Sequence, residues 1–134
     1  MRVLFAIPLF AWLLVGVNLL MLGGTPEAPL INIIAAEFVV PSGRRIYVTV
    51  ADVLLLVGVL CLWFEVFKAT RTSGSAVVDH TLSLVVFVIY LIEFLIVPGV
   101  GNTTFLILTL MAFTDVVSGF TVTIFTAKRD FSIG

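Results

Sequence analysis

Four apolar runs, roughly at positions 3–22, 46–67, 81–98 and 103–126, decide what this chain can fold into. Each is about 18–24 residues, the length an α-helix needs to cross about 30 Å of hydrocarbon. Lipid offers no partner to an unpaired backbone N–H or C=O, so such runs are expected to be helices. The third run is crowded with β-branched residues (Val85, Val86, Val88 and Ile89), which favour strand in water. In lipid the demand for internal hydrogen bonds overrides that preference. Composition agrees: 61% of the chain is hydrophobic and 11% charged, against about 25% charged in soluble domains. A soluble domain of 134 residues could not bury that much apolar surface. The expected fold is therefore all-α: an integral membrane protein forming a four-transmembrane-helix bundle in one polytopic domain, 1–134.

The first run follows Arg2 and so has the look of a secretory signal. Its apolar core exceeds the 7–15 residues of such signals, and it is expected to stay as a transmembrane helix. Pro8 lies in its first turns, where a missing N–H does least damage. Arg2, Lys68, Arg71, Lys128 and Arg129 fall on one side of a four-span chain, and Arg44 and Arg45 on the other. That imbalance predicts both termini in the cytoplasm. The first outer loop, 23–45, opens with turn chemistry at Gly23, Gly24, Pro26 and Pro29. Its apolar segment at 30–40 is too short to span, so it is expected to be interfacial or re-entrant, as a lid or a docking surface. The polar 68–80 stretch forms the cytoplasmic loop. The tight turn at 100–103 makes the third and fourth helices an antiparallel hairpin. This arrangement is broadly similar to that of small bacterial inner-membrane proteins, a likeness that implies no activity, and the bacterial inner membrane is the expected location.

A net charge of −1 gives no basic field for nucleic acid. Cys61 is the one cysteine, so the chain has no internal disulfide or thiol pair, and it lacks what thiol-oxidising four-helix enzymes require. The one histidine, His80, follows Asp79; a single imidazole is too little for a bis-histidine haem and thin for a metal site. No catalytic residues, metal or cofactor are expected, and the chain is not expected to be an enzyme. Its partners are the lipid bilayer and other membrane subunits or a second copy of itself.

Four carboxylates lie in or at the edge of the spans: Asp52, Glu65, Glu93 and Asp115. An acid at the bilayer centre costs roughly 2.5–3.5 kcal/mol on insertion scales, so each needs a partner or a purpose. Glu65 has Lys68 three residues on, on the same helix face. Asn18, Asp52, Tyr90 and Glu93 are expected at similar depth in the outer half, as a polar cluster for packing or for an ion or proton. Asp115 lies deeper, on a stripe of small residues formed by Ala112, Gly119, Thr123 and Ala127, which points it into a helix–helix contact. Small multidrug transporters carry an essential Glu in their first helix, where this chain has only Asn18. Two functions remain. One is a structural or accessory subunit whose helices are tied by neutral acids and by Ser and Thr hydroxyls. The other is a small proton- or cation-coupled transporter or channel using Asp52, Glu93 and Asp115.

Overall fold

The apolar runs become helices in the computed structural model, which describes residues 7–25, 28–70 and 76–131. They are α1 (Leu9–Leu22), α2 (Val50–Ala69), α3 (Ala76–Ile96) and α4 (Thr103–Phe131). Three of them, α2, α3 and α4, are long and apolar enough to cross a membrane. The described part of α1 has 14 residues, about 21 Å at 1.5 Å per residue, and is shorter than a span.

The bundle is organised around α4, which packs along both α2 and α3, with α1 laid across α2 and α3. The buried positions of α4 are Phe105, Leu108, Thr109, Ala112, Asp115, Val116 and Gly119, the three- and four-residue spacing of a single helix face. Phe10, Leu13, Leu14 and Val17 of α1, Leu54 of α2, and Val86 and Tyr90 of α3 complete the core. Glycine permits the closest approach: a Cβ on Gly58 would lie 2.9 Å from side-chain atoms of both Leu108 and Met111. The other helix faces carry Leu56, Leu60, Trp63, Phe67, Leu95, Ile96 and Phe125 outward. So continuous an apolar exterior fits lipid and not water.

The α3–α4 turn closes through Gly99 at φ +86°, a conformation that favours glycine. Asn102 then caps α4, its Oδ1 accepting from the Phe105 N–H at 3.0 Å.

The first loop, expected as an interfacial or re-entrant segment, is built of strands. A small ladder pairs β1 (Gly24–Thr25) with β2 (Ala28–Pro29), and a 3-10 turn at Leu30–Asn32 follows. Ile31 is buried where that turn meets α1 and α2. The chain then forms an antiparallel hairpin of β3 (Ile34–Val39) and β4 (Arg45–Thr49). Val40 and Arg44 close the loop, the Gly43 N–H donates to Val40 O at 2.8 Å, and Gly43 sits at φ +80°. This is a three-residue loop with glycine in the left-handed position. Ile46–Thr49, expected as the start of the second span, thereby pair in a strand, and the helix begins at Val50. The physical reason is that 45–49 supplies the hydrogen-bond partner of 34–39, which draws Ile46–Thr49 out of the helix. At the other end of the molecule α3 starts at Ala76, earlier than the expected 81.

Candidate functional site

Two polar groups form inside the bundle, at different depths. The first joins α1 to α3 toward the hairpin end. Asn18 Nδ2 donates to Glu93 Oε2 at 2.7 Å and to its own Leu14 carbonyl at 3.0 Å. Tyr90, fully buried, donates its hydroxyl to Phe10 O at 3.2 Å and packs on the ring of Phe105. The Asn18–Glu93 bond is charge-assisted if the acid is ionised and a neutral pair if it is not; either state holds α1 to α3.

Asp52 stands apart from this group, against the expectation that it joins Glu93. Its Oδ2 accepts from the Thr49 N–H at 2.8 Å and from Thr49 Oγ1 at 2.7 Å, while Thr49 Oγ1 faces the Asp52 N–H at 3.2 Å. This is a capping box closing the first turn of α2. The strand-to-helix junction at Thr49 makes Asp52 an N-terminal residue, so it serves the helix end.

The second group crosses the bundle near the opposite end. Glu65, 5% exposed, accepts the Leu9 N–H at 2.6 Å on one oxygen and Lys68 Nζ at 3.2 Å on the other. Leu9 is the first residue of α1, so Glu65 supplies an acceptor to a donor that has none within its own helix. It also places negative charge at the positive end of the helix dipole. Asp115 is buried, with Ser83 of α3 close to its carboxyl group. His80 is buried against Gly119 and Phe120 of α4.

The small-residue stripe of α4 runs only part of its expected length. Ala112 and Gly119 are buried, Thr123 is half-buried and Ala127 is exposed. The hydroxyls also behave otherwise than expected. Thr109, Thr114, Ser118, Thr121, Thr123 and Thr126 each donate to the carbonyl four residues back on α4. They satisfy themselves within one helix and add no cross-helix link.

Sequence reasoning missed Glu65 as the cap of α1, and His80 as a core residue. A signal for His80 was present in the counting. His80 precedes Gly99 by nineteen residues and Gly119 follows Val100 by nineteen, so an antiparallel α3–α4 pair must bring them level. Ser83, sixteen residues before Gly99, and Asp115, fifteen after Val100, match to within one residue. No group of three or more metal-ligating side chains occurs among the described residues. Comparisons with protein-family models, curated proteins and solved structures found no match to this chain.

Proposed function

We propose that this chain is a four-span protein of the bacterial inner membrane, with both termini in the cytoplasm, acting as an accessory or assembly subunit of a larger membrane complex. The observation that carries this reading is the β3–β4 hairpin. Cross-strand pairing puts Ala36, Phe38, Ile46 and Val48 on one face, and Glu37, Val39, Arg45 and Tyr47 on the other. The first face is wholly apolar; the second carries the Glu37–Arg45 ion pair at 2.7 Å. Every residue of β3 is exposed. A two-stranded ribbon is marginal alone, and its unpaired edges invite another chain. A partner subunit that covers the apolar face accounts for both features.

The bundle interior supports the same reading. Glu93 is engaged by Asn18, Asp52 by Thr49, and Glu65 by Leu9 and Lys68. Acids used as ties between helices and as caps do not require a transported ion. The transport alternative keeps Asp115 and loses Asp52, whose carboxylate is committed to a helix cap. The test is purification in a gentle detergent followed by native mass spectrometry. A different membrane protein bound in fixed stoichiometry is the expected result, and a pure homo-oligomer retaining full cellular function contradicts the reading.

A further inference from the structure

The two tryptophans of the chain, Trp12 and Trp63, come from different helices and stand at one level of the bundle. The bond from the Leu9 N–H to Glu65 sets the first residue of α1 level with Glu65 of α2. Trp12 lies three residues further along α1, and Trp63 two residues back along α2. Those steps are about 4.5 Å and about 3 Å of helix, both toward the hairpin end. Both rings point outward, Trp12 being 54% and Trp63 59% exposed.

Neither indole N–H has a hydrogen-bond partner among the described residues. Hydrocarbon offers such a donor nothing, whereas the headgroup layer offers ester and phosphate oxygens beside apolar chains, which is where tryptophan collects. Trp63 is steadied there by its neighbours. Phe67 stacks on it with centroids 5.8 Å and planes 13° apart, and Phe64 meets it edge-on at 4.8 Å. Five residues on from Trp63 comes Lys68, about 7.5 Å further toward the end of α2 and so about one headgroup layer away. Its half-buried side chain gives one N–H to Glu65, and an ammonium has further donors for phosphate oxygens. A protein partner could also cover these rings, but it gives no reason for two tryptophans at one depth with a lysine just beyond.

We propose that Trp12, Trp63, Phe67 and Lys68 form a phospholipid-docking band at the bundle end away from the hairpin. The indole N–H groups donate to the ester carbonyls of the lipid, and the Lys68 ammonium meets its phosphates. The band fixes how deep the bundle sits: Glu65 and the start of α1 lie at the edge of the hydrocarbon. The Glu65–Lys68 pair then stands beside the headgroups and away from the bilayer centre, where charge costs most. This goes beyond the subunit reading and does not depend on what covers the hairpin.

Tryptophan fluorescence reads the depth directly. The full chain is reconstituted in phosphatidylcholine vesicles whose acyl chains carry a spin label, either next to the glycerol backbone or near the chain terminus. A contact quencher acts only on rings it touches, so the shallow label is expected to quench several-fold more than the deep one. Trp12→Phe and Trp63→Phe each leave one emitter, and each variant is expected to keep that preference. Both positions are exposed and phenylalanine keeps an apolar ring there; if one variant fails to insert, the intact chain and the other variant decide. Equal or stronger quenching of either tryptophan by the deep label places that ring in the hydrocarbon core and overturns the proposal. Emission that neither label quenches places the rings under protein and overturns it as well.

Discussion

Asn18 and Glu93 sit 75 residues apart in sequence and meet through one 2.7 Å hydrogen bond. Removing the amide leaves a carboxyl group without that donor. Asn18→Leu should therefore cost about 1–3 kcal/mol, read as a lower midpoint of thermal unfolding in mild detergent. Glu93→Gln keeps an oxygen that Asn18 can reach and should lose much less; equal losses in the two variants would contradict the bond's role. Gly119 gives a second test. Gly119→Ala drives a methyl into the His80 ring and should destabilise by about 1–3 kcal/mol, as overpacking does. Gly16→Ala, where a Cβ meets nothing within 4 Å, should be neutral or slightly stabilising on the same assay, since alanine suits a helix interior better.

The helical elements were legible in the sequence and the first loop was not. Apolar run length alone located the helices, and "VGNT" located the α3–α4 turn, because lipid leaves a greasy chain few options. The 30–40 segment lies at the edge of that regime, where its backbone could pair with helix, sheet or water. Its partner strand was hidden inside what read as the second span. In retrospect "PSG" ahead of Arg44 is hairpin chemistry, and Thr49 with Asp52 is a capping box; together they mark the strand-to-helix boundary. Two expectations follow for these elements. Thr49→Val should cost about 1 kcal/mol and speed hydrogen exchange at the first amides of α2, while the amides of α4 stay protected. Gly43→Val places a β-branched residue at φ +80° and should weaken the hairpin by about 1–2 kcal/mol, seen as faster exchange across β3 and β4. Unchanged exchange in either variant would show that the local geometry is not what holds these elements.

Across the whole molecule, polar groups are spent on ties between helices while a large apolar ribbon stands uncovered outside them. Depth along the spans put Asn18 level with Glu93, and helical spacing put Asp115 on a face with Ala112 and Gly119. Proximities set by tertiary contact could not be read in advance, since the reach of Glu65 to Leu9 spans 56 residues and depends on where α1 crosses α2. We propose that a partner subunit covers the hairpin. A photo-crosslinking residue placed at Phe38, on the apolar face, tests it in intact cells, with the same probe at Leu60 on the exterior of α2 as reference. One discrete adduct to a different membrane protein is expected from position 38 and none from position 60. Adducts to lipid alone, or only to a second copy of this chain, would contradict it.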